Sequence, residues 1–162
     1  DFNGIDGENG GKYYSVEQLA TKISLIWENS TNDESHRYVV FTGGEPGLQV
    51  SEDLVSSVQS KGFECAIETN GTIPLPENLD WITVSPKTCE SLVVKNGNEL
   101  KLVFPQERVA PENFLALDFE HFYIQPKDDQ DYNDNLVKSL EFCLRHPMWK
   151  LSIQTHKYIG VQ

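Results

Sequence analysis

Residues 41–46 read FTGGEP: an apolar run hands over directly to a threonine, two glycines, an acid and a proline. Glycine lets the backbone approach a ligand closely and reach conformations closed to other residues. Four further apolar segments also finish in compact polar groups. FECAIE runs into Thr69, Asn70 and Gly71. WITV runs into Ser85, Pro86 and Lys87. FYI runs into Gln125, Pro126, Lys127 and Asp128, and LSI into Gln154, Thr155, His156 and Lys157. Strands commonly exit into polar loops, and each cluster taken alone is explained that way. Five of them predict a polar ligand pocket if the strands are parallel, because a parallel sheet gathers its site at the carboxyl ends of its strands.

The elements that must position these groups are readable from periodicity. Ser15 and Gln18 form an S-x-x-Q capping box, and Val16, Leu19, Ala20, Ile23, Ile26 and Trp27 continue at helical spacing through residue 28. RYVVF (37–41) is an uninterrupted apolar run, which predicts a strand covered on both faces. Ser51 caps a second helix carrying Leu54, Val55 and Val58, and Gly62 closes it. Further strands are expected at FECAIET (63–69), WITVS (81–85), ELKLVF (99–104), HFYIQ (121–125) and WKLSIQ (149–154). A helix from Asn133 to His146 places Leu136, Leu140, Phe142 and Cys143 on one side. The glycine-rich stretch over residues 3–11 reads as loop. Strands and helices alternate without hairpin signals, so the fold class is α/β with a mostly parallel sheet of about six strands. Six strands fall short of an eight-stranded barrel, which leaves an open, partial (β/α) barrel or a twisted sheet, in one domain.

Bulk properties narrow the partners. The chain has 162 residues and a formal charge of -12. Phosphate backbones are gripped by clustered Lys and Arg, so direct binding of nucleic acid is not expected. No apolar run reaches the length of a bilayer span, so no membrane partner is expected either. Cys65, Cys89 and Cys143 lie far apart, with no C-x2-C pair, which argues against a disulfide scaffold or a zinc site and for buried thiols in a reducing, cytoplasmic setting. The chain begins with Asp1 and shows no signal-peptide pattern, so it reads as a fragment or a trimmed chain.

TGGEP resembles the GGEP motif of radical S-adenosylmethionine enzymes. IETNGT (67–72), VSPK (84–87), LKLVFP (100–105), YIQPKD (123–128) and SIQTHKYIG (152–160) accompany it. In order and spacing they resemble the 7-carboxy-7-deazaguanine synthase family over nearly the whole chain. The opening DFNGIDGENGGKY resembles the stretch just after that family's cysteine motif. The resemblance implies a single radical S-adenosylmethionine core domain over 1–162 that lacks the N-terminal cluster-binding segment. The cluster cysteines and a magnesium-binding threonine would then precede Asp1, leaving no metal ligand in this chain.

The resemblance also implies roles. Gly43 and Gly44 match glycines that line the methionine end of the cofactor, where bare backbone carbonyls accept from an ammonium. Glu45 orients this loop or reaches the ammonium itself. Ser85, Pro86 and Lys87 match a cofactor-binding segment, as do Gln125, Pro126, Lys127 and Asp128; plain turn chemistry is the alternative for both. Thr42, Glu68 and His156 match substrate positions: a carboxylate suits the donor-rich edge of a pterin, and a histidine can meet a carboxylate or move a proton. Asn70, Gln154 and Lys157 are weaker candidates, while His36, His121 and His146 have no such context and are expected at the surface. The implied reaction converts 6-carboxy-5,6,7,8-tetrahydropterin to 7-carboxy-7-deazaguanine with loss of ammonia, a lyase step of queuosine and deazapurine biosynthesis. The implied cofactors are a [4Fe-4S] cluster, S-adenosylmethionine and Mg2+, with flavodoxin or ferredoxin as electron donor and a homodimer as the assembly. Tyr13, Tyr14 and Trp149 are open either as interface or as core residues. Two rivals carry the same motif: a glycyl-radical activase, and a binding subunit without a cluster.

Overall fold

The structure, a computed structural model, describes residues 10–107 and 109–160. Most of the expected loop over 3–11 and the Asp1-Phe2 start lie outside the described residues. The described chain forms two compact units. One holds the residues up to Glu68 together with Pro74–Trp81, and the other holds Thr69–Ile73 and the residues from Ile82 onward.

In the first unit, α1 (Val16–Ser30) starts where the capping box predicts. Ser15 Oγ accepts from the Gln18 N–H at 3.2 Å. Gln18 Oε1 in turn accepts from the N–H of Tyr14 at 3.1 Å, one residue before the cap itself. Such a cap contributes about 1 kcal/mol. β1 (Tyr38–Phe41) leads through a 3-10 turn at Pro46–Leu48 into α2 (Glu52–Gln59), then β2 (Glu64–Thr69). Ser51 Oγ accepts from the Leu54 N–H at 3.3 Å, and Glu52 and Asp53 place negative charge in the first turn, where the helix dipole favours it. Ala20, Leu54, Val55, Val58, Phe63 and Cys65 form the buried core, with Val39, Phe41 and Leu79 packed against it.

β1 pairs with β2 in parallel, from Tyr38↔Glu64 to Phe41↔Ile67. The expectation that β1 is covered on both faces is not met: Tyr38 and Val40 are 42% and 43% exposed. The core cluster takes only Val39 and Phe41, on the alternate face, and β1 is the first strand in the sheet order.

The passage from β2 towards the next strand holds no helix. Instead it is tied to α2. Asn78 Nδ2 donates to Glu52 O and to Ser56 Oγ. Asp80 Oδ2 accepts from Cys65 N at 2.8 Å and from Gln59 Nε2 at 2.9 Å.

The second unit contains β3 (Trp81–Val84) from Ile82 onward, β4 (Asn96–Phe104), β5 (Asp118–Pro126) and β6 (Trp149–Leu151), each parallel to the next. β4 and β5 begin earlier than predicted, at the pair Asn96↔Asp118. Their opening residues, Asn96 and Asp118, are polar and give no strand signal. A 3-10 turn at Pro111–Phe114 replaces a crossover helix between them. Leu100, Leu102, Phe122 and Ile124 supply the buried face. The Trp149 ring stands edge-on to Phe122 at 5.2 Å and to Phe142 at 6.3 Å.

α3 (Tyr132–Arg145) buries Asn135, Ser139 and Phe142. The predicted stripe was shifted, for Leu140 is 47% exposed. Two polar residues can occupy the buried face because they are bonded. Ser139 Oγ donates to Asn135 O at 2.7 Å, and Asn135 Nδ2 donates to Lys127 O at 3.0 Å and to Asp129 Oδ1 at 2.9 Å. β6 ends at Leu151, three residues short of the strand expected over 149–154, and the chain then turns into a short helix, α4 (Thr155–Ile159), for which the sequence carries no helical pattern.

Sheet order equals chain order, β1-β2-β3-β4-β5-β6. This is the sequential winding of the (β/α) barrel class; a doubly wound sheet reverses its order partway. No described helix is long and apolar enough to cross a membrane.

Candidate active site

The first unit carries Thr42, Gly43, Gly44, Glu45 and Glu68. Thr42 to Gly44 are exposed immediately after β1. Gly43 has φ +129°, a backbone conformation that side chains with a Cβ rarely adopt. Glu45 caps the 3-10 turn: its Oε1 accepts from the Gly47 N–H at 3.0 Å, and Pro46, buried, occupies the first position of the turn. This bond ties the Glu45 carboxylate into its own turn. Phe41 pairs with Ile67, so Thr42 and Glu68 are the next positions on adjacent parallel strands. Glu68 is exposed there.

The second unit links its strand ends in series. Ser85 N donates to Thr69 O at 2.8 Å, which sets SPK beside TNG. Asn70 makes an Asx turn, its Oδ1 accepting from the N–H of Thr72 at 2.9 Å and from its hydroxyl at 2.6 Å. Gln106 Nε2 donates to Lys87 O at 3.1 Å, and Lys127 N donates to Phe104 O at 2.7 Å. Ser152 N donates to Ile124 O at 2.8 Å, which carries β6 alongside β5. Along β5, Phe122, Ile124 and Pro126 are buried while His121, Tyr123 and Gln125 share the opposite, half-buried face. His121 is thus not at the open surface as expected, whereas His36 and His146 are.

Pro86 and Pro126 are fully buried. They shape the turns, and the groups that face outward in SPK and QPKD are Lys87, Lys127 and Asp128. Two of these are engaged within the chain. Lys127 Nζ lies 3.0 Å from Asp129 Oδ2, and Lys157 pairs with Asp128. The Lys127 ammonium, with the Asp131 N–H, holds Asp129 below the usual carboxylate range. Gln154 sits at the N-terminal end of α4, and its Oε1 is a buried acceptor with no protein partner. An acceptor of this kind is completed by a donor on a bound molecule or by water. His156 is exposed on α4.

Four residues outside the predicted site brace these loops. Asp129 and Asn135 hold the QPKD turn, and Tyr132 bonds Tyr158 hydroxyl to hydroxyl at 2.6 Å. The run KDDQDYNDN, dense in Asx residues, was the available signal for the first of these. Tyr14 is strongly exposed, Tyr13 borders on exposed, and Trp149 belongs to the core. The three cysteines are free: Cys65 is buried, and Cys89 and Cys143 are half-buried. Among the described residues no three His, Cys, Asp or Glu side chains come together as a metal site.

A parallel α/β sheet wound in sequence, with a bare glycine turn after its first strand and polar groups after the others, defines a barrel-class enzyme fold. The chain is 50% identical over 161 residues to "7-carboxy-7-deazaguanine synthase" of Caulobacter vibrioides, covering 99% of this chain and 75% of that protein. It is 51% identical over 161 residues to the protein of the same name from Bordetella pertussis, with the same coverage. The crystal structure of QueE from Escherichia coli superposes with a TM-score of 0.64 at 28% identity, covering 86% of this chain and 63% of that one. No protein-family model matches. The chain belongs to the 7-carboxy-7-deazaguanine synthase family, an enzyme family, and spans about three quarters of the length of these curated relatives.

Proposed function

We propose that this chain provides the cofactor- and substrate-binding part of an enzyme that converts 6-carboxy-5,6,7,8-tetrahydropterin to 7-carboxy-7-deazaguanine. Ammonia is lost, S-adenosylmethionine is the radical source, and the product feeds queuosine and deazapurine biosynthesis. The observation that carries this reading is the GGEP turn, in a chain half identical to enzymes bearing that name. Gly43 is in a glycine-only conformation at the end of β1, and Glu45 is tied back to Gly47, so the turn offers main chain to an incoming ligand.

In this proposal Gly43 and Gly44 accept from the cofactor's ammonium, and Glu45 keeps the turn in shape. Ser85, Lys87 and Gln125 contact the nucleoside, with Pro86, Pro126, Lys127 and Asp128 fixing the two loops. Thr42 and Glu68 meet the donor-rich edge of the pterin, and His156 meets its carboxylate or holds a proton there. The unfilled acceptor on Gln154 suits a donor-bearing ligand. Asn70 and Lys157 serve as loop supports, given the hydrogen bond and the ion pair they make within the chain.

A [4Fe-4S] cluster and Mg2+ accompany the family reading, but the described residues do not fit either group. Cys65 is buried in the first unit's core, and among the described residues no three cysteines come together. No role in the proposal is assigned through them. The wider reading takes 1–162 as one radical S-adenosylmethionine core domain, working as a homodimer in the cytoplasm with flavodoxin or ferredoxin as electron donor. Three free thiols accord with a reducing compartment.

The test is to incubate the complete protein, reconstituted with iron and sulfide, with the carboxytetrahydropterin, S-adenosylmethionine and a reductant. A deazaguanine chromophore of the right mass is expected. Its absence under conditions where a curated relative turns over would overturn the proposal.

A further inference from the structure

α4 is a five-residue helix with no buried residue. A helix this short does not hold itself together in water, and burial does not hold it either, because every residue from Thr155 to Ile159 is exposed. Outside the helix ladder, Lys157 N donates to Gln154 O at 3.0 Å, Thr155 N donates to Ile153 O at 3.0 Å, and the Gly160 N–H caps the helix at His156 O.

What fixes the helix is a pair of side-chain bridges. Lys157 Nζ pairs with Asp128 Oδ2, and the Tyr158 hydroxyl bonds that of Tyr132 at 2.6 Å. Both partners stand at the same place, the junction between the end of β5 and the start of α3. Both anchored residues directly follow His156 in the chain. The Tyr132 hydroxyl is neutral at working pH, for the bond to Tyr158 pushes it up to about 12. The bridge therefore persists where an exposed ion pair alone is screened by salt.

We propose that Tyr132 and Tyr158, together with the Asp128–Lys157 pair, are positioning residues that hold α4 so that His156 meets the pterin. The two tyrosines touch neither substrate nor cofactor and act through His156. The inference rests on the proposed function for the identity of that substrate. It differs from a purely structural role in predicting a selective effect, on the pterin and not on the nucleoside.

The experiment uses the complete reconstituted protein and the single variants Tyr132→Phe and Tyr158→Phe, with the double variant. Each single change removes one hydroxyl and keeps the ring. KM for the carboxytetrahydropterin should rise about two- to tenfold, the range of one hydrogen bond, while the S-adenosylmethionine Kd stays at the wild-type value. The double variant should be no worse than either single one, because each already breaks the same bond. The charge swap Asp128→Lys with Lys157→Asp should recover much of the loss caused by Lys157→Asp alone. If wild-type protein turns over and both phenylalanine variants keep its KM, the positioning role is wrong. A wild-type protein that makes no deazaguanine removes the proposed function, and the role of these tyrosines falls with it.

Discussion

Gly71 lies directly against Leu92. A Cβ built on this glycine would stand 2.6 Å from Leu92 Cδ1 and 2.7 Å from Val84 Cγ1, and its φ is +76°. Its carbonyl also accepts from the N–H groups of Val93 and Val94, at 2.8 and 3.0 Å. The glycine thus closes the TNG turn against the loop that leads to β4. Gly71→Ala must both strain the backbone and push Val84 or Leu92 aside, so it should destabilise by about 2–4 kcal/mol. Urea unfolding measures this directly, and a change within about 0.5 kcal/mol would show that the turn can relax.

Asn135 supports the QPKD turn from below. It is 4% exposed and bonded to Lys127 O and Asp129 Oδ1. Asn135→Ala leaves a carbonyl and a carboxylate oxygen short of a donor, at a cost of about 1–3 kcal/mol. The turn holds proposed cofactor contacts, so the variant should also weaken S-adenosylmethionine binding in the complete protein. Calorimetric titration checks this. Lost stability with unchanged cofactor affinity would separate the turn from the cofactor.

Much of the fold was legible because periodicity reports burial. Ser15, Ser51 and the apolar spacing located α1 and α2, and each of the six strands overlaps its predicted segment, with β4 and β5 starting earlier. The failures share a physical cause: they occur where polar groups are buried with partners or apolar ones are left uncovered. Asn135 and Ser139 occupy the face of α3 assigned to Leu140, because side chain to backbone bonds offset their desolvation. Val40 is exposed although its run is wholly apolar, since nothing in a single strand's composition tells how many of its faces are covered. For the site, the polar strand ends were visible but not their internal pairing. The Asp128–Lys157 pair and the Tyr132–Tyr158 bond join residues far apart in the chain, which no local pattern reports.

Cys65 should be the least reactive of the three thiols. It is fully buried in the core beside α2, and burial, with the nearby Asp80 charge, pushes it up to about 11. At pH 8 in native protein, alkylation followed by peptide mass spectrometry should label Cys89 before Cys65. The folded state holds this proton more tightly than the unfolded state does. Stability should therefore be intact below pH 9 and fall as pH rises from about 9 to about 11. Cys65→Ala should flatten that fall. Equal labelling of both thiols would show that this part of the core opens readily.

Gly44→Val in the complete protein should weaken S-adenosylmethionine binding about tenfold or more, by setting a branched side chain on the main chain offered to the ligand. Equilibrium dialysis reads the effect without turnover. Equal affinity in both versions would detach the GGEP turn from the cofactor.

The most direct measurement follows a hydrogen atom. The complete reconstituted protein is given carboxytetrahydropterin deuterated at its ring carbons, and the products are analysed by mass spectrometry. The account predicts deuterium in 5′-deoxyadenosine together with 7-carboxy-7-deazaguanine, both diminished by Glu68→Gln and His156→Ala. Unlabelled 5′-deoxyadenosine with no deazaguanine, from protein that binds its cofactor normally, would contradict it.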